Sequence, residues 1–355
     1  MALRYPQARG SCNGASVHTR LFVVHSAAVS TQPISDDYST AGAAAREGLI
    51  VGISMAARLS LILVPAGFLV FLLEIFGALE PLAALLDPVM ALAGLPGEAA
   101  LVFATGALVT IYPAIGIMAS LTFSPAETTV IALMILICHN LFVETAVQAR
   151  IGSNPVRIVL VRVLTALLAG VIVGRLLGLN ADIRSPDTTA APGFPGWKTT
   201  VSAFVSWAGG TGRTVLTIVV LVTLLMVGQR LLRRSGVLPR IARFCEPVVR
   251  VFGLPRQTAF LWLVGNTLGL TYGAAVILEE RDHGDLTADE ADLLNHHLAV
   301  SHSLLEDTLL FVAIGASVTA LIIPRLLAAM IVVWVRRLAQ NRVSRVRSAR
   351  RPKHD

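Results

Sequence analysis

Eight apolar runs dominate this sequence, at residues 51–76, 99–121, 129–147, 156–177, 201–232, 258–278, 298–314 and 316–335. Most approach the roughly 20 residues that a helix needs to cross a bilayer. Open strands cannot satisfy their backbone groups in lipid, so these runs are expected to be helices. Composition agrees. Of 355 residues, 55% are hydrophobic and 14% charged, where soluble domains carry about 25% charged residues. Mean hydropathy is +0.72. One soluble core of this size cannot hide so much apolar surface, which makes the bilayer the natural solvent. Gly and Pro interrupt several runs, notably at Gly106, at Tyr112-Pro113 and between Gly265 and Gly273. Broken helices are expected there.

The formal charge of +7 lies in blocks between apolar runs. That is where membrane proteins keep Lys and Arg, and it leaves no basic face for nucleic acid. Cys12, Cys138 and Cys245 lie far apart without CxxC spacing, which indicates neither a zinc site nor a disulfide framework. No cofactor is expected. Residues 1–48 are polar and aperiodic and are expected to be a disordered extension.

The sequence repeats itself. Asp87-Pro88-Val89 returns as Glu246-Pro247-Val248, and Gly94-Leu95-Pro96 as Gly253-Leu254-Pro255. His139-Asn140-Leu141-Phe142-Val143-Glu144-Thr145 returns as His302-Ser303-Leu304-Leu305-Glu306-Asp307-Thr308. Ile151-Gly152 matches Ile314-Gly315, and Arg162 matches Arg325, with a small insertion within 279–292 of the second copy. An ordered series of this kind reads as a duplicated module. The expected boundaries are a first repeat at 49–180, a linker at 181–200, a second repeat at 201–338 and a basic tail at 339–355.

Charge sets the orientation. Residues 230–256 carry seven arginines, whereas the corresponding 77–98 holds Glu80, Asp87 and Glu98 and no basic residue. Basic loops stay cytoplasmic. The two copies are therefore expected to face opposite ways. Six crossings are expected, plus one broken or re-entrant segment per half, with a cytoplasmic C-terminus in an inner membrane. Such inverted repeats are a plan shared by many secondary transporters.

Two polar clusters interrupt apolar runs: Cys138-His139-Asn140 with Glu144-Thr145, and Ser301-His302-Ser303 with Glu306-Asp307-Thr308. A charge at bilayer depth is costly, about 2.5–3.5 kcal/mol on insertion scales, and persists where it is paired or lines a wet cavity. His139 and Glu144 are five apart, so an unwound turn is needed to join them. His302 and Glu306 are four apart and share a helical face. The candidate substrate-binding or ion-coupling residues are His139, Asn140, Glu144, Thr145, Asn266, His302, Ser303, Glu306, Asp307 and Thr308. The structural alternative has each acid capping a half-helix or pairing with its own histidine. A second set, Thr105, Gly106, Thr110, Tyr112 and Pro113 with Asn266, Thr267, Thr271 and Tyr272, marks breaks that free backbone groups for a ligand. His296-His297, following an acidic stretch, reads as a solvated helix start. Gly209-Gly210-Thr211-Gly212-Arg213-Thr214 lacks the lysine and the preceding strand of a phosphate loop. No residue sits as a nucleophile in a recognisable elbow, so an enzyme is not expected.

The doubled module, with its Gly-Leu-Pro elements, glycine-broken helix and HN(x)3ET and HS(x)3DT clusters, resembles the nucleoside-recognition or Gate-domain membrane proteins over residues 49–338. These include spore-maturation-type proteins and, more distantly, concentrative nucleoside transporters and the membrane part of the ferrous-iron transporter. The resemblance implies an inverted-repeat fold with a transport-like site. It also admits a non-transporting subunit that assembles with a second membrane protein or with itself. The leading expectation is a secondary transporter or permease for a small polar solute, with nucleosides among the candidates.

Overall fold

The computed structural model describes residues 40–179 and 197–349. All regular structure among them is helical. The first half contains α1 (Ala41–Ile75), α2 (Leu79–Met90), α3 (Glu98–Leu108), α4 (Ile111–Ser120), α5 (Pro125–Cys138), α6 (Leu141–Ile151) and α7 (Pro155–Leu176). The second contains α8 (Trp197–Arg234), α9 (Leu238–Val251), α10 (Ala259–Thr267), α11 (Leu270–His283), α12 (Ala288–Ser301), α13 (Glu306–Val312) and α14 (Val318–Ala349).

Boundaries follow local chemistry. Ser124 and Glu127 form a capping box at the start of α5, and Thr287 with Glu290 forms another at the start of α12. Each satisfies two amide groups that the first turn leaves without partners. The Gly-Leu-Pro elements turn the chain at Gly94 and Gly253, whose φ angles of 70° and 82° suit glycine. The insertion expected in the second copy lengthens α11 to 14 residues against 10 in α4, one extra helical turn.

Five helical segments are long and apolar enough to cross a membrane: Ala41–Ile75, Pro125–Ile151, Pro155–Leu176, Trp197–Arg234 and Val318–Arg342. A sixth is counted if Asp87–Ala93 and Glu98–Leu108, bent by 87° between them, form one broken span. The segment that corresponds to Pro125–Ile151 in the second copy is α12 with α13. It falls outside that count because α12 carries Asp292, Asn295, His296 and His297.

Several expected boundaries move. Helix α1 starts at Ala41, capped by Thr40, within the stretch expected to be disordered. The remainder of that extension, 1–39, lies outside the described residues. So does 181–196 of the expected linker, whose last residues belong to α8 instead. The basic tail continues α14 as far as Ala349. Its arginines carry the helix on because Arg is a good helix former. Gly209 to Thr214 lies inside α8 as continuous helix.

Helices α1 and α8 pack against each other antiparallel. Gly48 and Gly52 meet the backbone of Val227 and Thr223, where a Cβ would come within 2.6 Å of each Cα. At the other end, Phe68 and Phe71 meet Trp207 and Phe204, with ring centroids 5.3 and 6.1 Å apart. Helix α5 is the hub of the bundle. Every residue from Glu127 to Cys138 is buried.

Candidate functional site

Both spans that carry a histidine break at it. Helix α5 ends at Cys138, and Asn140 then takes a left-handed conformation at φ 46°. Helix α12 ends at Ser301, and Ser303 does the same at φ 52°. These are the two non-glycine residues with positive φ among the described residues. Such conformations persist where the surroundings enforce them. Here the enforcement is visible: the Asn140 amide donates to the Gly106 carbonyl at 3.0 Å, and the Ser303 amide to the Gly265 carbonyl at 3.3 Å. The glycine-interrupted runs thus hold the breaks open, in both copies.

Each break exposes carbonyls, and a buried arginine collects them. Arg162 donates to the carbonyls of Ile137 at 3.0 Å and His139 at 2.6 Å. Arg325 donates to those of Val300 at 3.4 Å and His302 at 2.6 Å. Both side chains are fully buried. The negative end of a helix favours a cation, and the planar fork of arginine reaches two carbonyls at once. The matched arginines of the two copies therefore do the same work.

The breaks bring the two copies together at their histidines. His139 and His302 lie 163 residues apart in sequence, with their Nε2 atoms 3.2 Å apart. Glu144 lies beside both. Its Oε1 is 3.0 Å from His139 Nε2, and its Oε2 is 3.1 Å from His302 Nε2 and 2.7 Å from Arg162 Nη2. Asp307 Oδ2 lies 3.5 Å from His139 Nε2. The unwound turn at Asn140 is what lets Glu144 reach His139 across a five-residue spacing. All four side chains are buried.

The other candidates divide. Thr308 Oγ1 accepts from Arg325 Nη1 at 3.2 Å, and Thr145 is buried in the matching place, its hydroxyl without a protein partner. Asn140 and Ser303 contribute through their backbone. Asn266 is buried and donates to the Trp262 carbonyl at 2.9 Å, leaving its Oδ1 without a partner. Glu306 does not pair with His302. Helix α12 has ended before it, so the i,i+4 geometry is lost, and Glu306 instead accepts from Gln229 of α8 at 3.1 Å. Of the second set, the Thr271 and Tyr272 side chains lie outside the described residues.

His296 and His297 are not a solvated helix start. They are 1% and 0% exposed, because α12 packs among α5, α7, α10 and α14. With Asp292, Asn295 and Gln148 they form a polar row that the sequence reading did not single out. Asp292 accepts from Ser153 at 2.7 Å and from Arg336 at 2.6 Å. Asn295 donates to Ser153 at 3.0 Å and to the Gln148 carbonyl at 3.1 Å. Both polar atoms of the Gln148 side chain, Asn295 Oδ1 and the Nε2 atoms of His296 and His297 are buried without a protein partner. At the matching positions of α5 stand Thr129, Ala132, Leu133 and Met134. The corresponding helix is thus polar in the second half and apolar in the first. That comparison was the signal available in the sequence.

Among described residues, His139, His302 and Asp307 also form a group whose ligand atoms all lie within 4.8 Å of one another. The arrangement can hold a cation, share protons or bind a polar solute.

No family model and no solved structure matches this chain. A curated relative from Bacillus subtilis (strain 168), "Uncharacterized membrane protein YvoD", is 30% identical over 291 residues, covering 80% of this chain and 91% of the relative.

Proposed function

This chain belongs to the family of the Bacillus subtilis membrane protein YvoD, and from that premise we propose that it is a secondary transporter or permease for a small polar solute. The observation that carries the proposal is the contact between His139 and His302, joined by Glu144 and Asp307, across two copies of one module. Ionisable groups buried in membrane helices are functional by default. A site formed where two repeats meet, on broken helices, is the arrangement typical of many alternating-access transporters.

In this proposal the copies are inverted. Support comes from α1 and α8, which occupy corresponding places before the Pro-containing helices α2 and α9 and yet run antiparallel along their lengths. Corresponding helices that cross in opposite senses put their following loops on opposite faces. The loop charges agree, with the arginine-rich 230–256 and the basic tail cytoplasmic and 77–98 outside. Counting α12 with α13 as the counterpart of Pro125–Ile151 gives three crossings per half, in an inner membrane. The hairpins α3–α4 and α10–α11 are then the re-entrant segments. The polar row on α12 supplies a hydrated route from the histidine pair to the face where Asp292 meets Arg336.

The test is uptake into proteoliposomes from a panel of nucleosides, divalent metal ions and small anions. The wild type is expected to transport at least one solute. Glu144→Gln and Asp307→Asn are each expected to abolish that uptake while leaving folded, membrane-inserted protein. Full uptake by both variants removes these acids from the mechanism. A collapse in membrane yield instead, with no transport by the wild type, favours a subunit whose polar cluster is structural.

A further inference from the structure

We infer that His139, His302 and Asp307, with Glu144 as the fourth ligand, bind a divalent first-row transition-metal cation. This names the solute class for the cluster and rests on the transport role proposed above.

The argument begins with the ring nitrogens that face away from the cluster. His139 Nδ1 lies 3.3 Å from the Ile135 carbonyl, and His302 Nδ1 lies 2.7 Å from the Leu298 carbonyl. A carbonyl only accepts, so each Nδ1 carries the hydrogen, and in its neutral form each ring turns an unprotonated Nε2 inward. This backbone anchoring of the far nitrogen is the usual support of a metal-ligating histidine. The two Nε2 lone pairs then face each other at 3.2 Å. Carboxylate oxygens crowd the same space: Glu144 at 3.0 and 3.1 Å, and Asp307 at 3.5 Å.

With both rings in that form, electron pairs packed so closely repel unless cations lie among them, and of these four side chains Arg162 contacts Glu144. A single proton bridges one contact and leaves the rest opposed. One metal ion serves all. Tetrahedral coordination, with metal–nitrogen bonds of roughly 2.0–2.1 Å and metal–oxygen bonds of similar length, separates the ligand atoms by about 3.3–3.5 Å. The His139–His302 separation of 3.2 Å and the His139–Asp307 separation of 3.5 Å lie near that spacing, and the three ligand atoms all lie within 4.8 Å of one another.

The donor set narrows the metal. Two imidazoles with carboxylates suit zinc, iron(II), cobalt(II) or manganese(II). All-oxygen sites suit magnesium and calcium, and thiolates or thioethers suit copper(I). Charge speaks to lability. Glu144 and Asp307 balance a dication, but Arg162 competes for Glu144 at 2.7 Å. A ligand shared with a fixed guanidinium can be handed back, as a site that must release its ion requires.

The full chain in lipid nanodiscs, stripped with a chelator, is titrated with Co2+ and followed by its visible ligand-field absorption, with Zn2+ as competitor. One Co2+ per chain is expected, with the intense absorption of four-coordinate cobalt and displacement by one equivalent of Zn2+. His139→Ala, His302→Ala and Asp307→Asn are each expected to weaken binding at least tenfold. His283→Ala, on an exposed surface histidine of α11, is expected to leave it unchanged. Absence of saturable binding by the wild type overturns the inference whatever the variants do, and so does unchanged stoichiometry in the His139→Ala/His302→Ala double variant. The two proposals fail separately. Uptake of a nucleoside by protein that binds no cobalt removes the metal and leaves transport. Cobalt binding with no uptake of any panel solute, metals included, removes transport and leaves the site.

Discussion

A guanidinium inside an apolar bundle needs partners, and Arg162 and Arg325 find different ones, with Arg162 Nη1 left without any. Both collect the carbonyls of a broken helix. Arg162 also pairs with a buried carboxylate, whereas the described hydrogen bonds of Arg325 go to carbonyls and the Thr308 hydroxyl. Removing Arg162 therefore strands Glu144, while removing Arg325 strands neutral acceptors. Arg162→Met is expected to destabilise by about 3–5 kcal/mol, the range for breaking a buried pair. Arg325→Met is expected to lose about 1–3 kcal/mol, the range for unsatisfied buried groups. Thermal unfolding in detergent checks the order, and equal losses would show that the Glu144 pair contributes nothing beyond the caps. At this scale the sequence was informative about which residues mattered and less so about how. The matched histidines and acids stood out as charges in apolar runs, and the arginines only as a match between the two halves. That Glu306 turns to Gln229 followed from where α12 ends, which the i,i+4 spacing alone does not reveal.

The elements show which features recur in the two halves and which do not. The capping boxes, the left-handed residues after each histidine and the arginine caps recur in both copies. The apolar face of α5 does not recur on α12. Periodicity marked the runs as helices, but a run containing Asp292, Asn295, His296 and His297 looked solvated because its burial depends on neighbours distant in sequence. If the polar row is the route to the histidine pair, restoring the residues of the first copy closes it. Asn295→Ala combined with His296→Leu is expected to lower uptake at least roughly tenfold, equivalent to about 1.4 kcal/mol, with the protein still folded. Undiminished uptake by that double variant would place the route elsewhere. Helix ends were the least legible feature. Thr40 starts α1 before the apolar run begins, because a cap and small residues nucleate helix without hydrophobic periodicity.

For the whole molecule, the proposed transport role turns on two modules crossing the bilayer in opposite senses and meeting at a histidine from each. Loop charges imply the proposed inversion, and the antiparallel packing of α1 on α8 supports it. The most direct measurement labels the loops that follow those two helices. In a background with Cys12, Cys138 and Cys245 replaced, Ala78→Cys and Ser235→Cys are each treated with a membrane-impermeant maleimide, in intact cells and in inside-out vesicles. Ala78→Cys is expected to react only from the outer face and Ser235→Cys only from the cytoplasmic face. Labelling of both from the same face would contradict the inverted arrangement and dissolve the shared site with it.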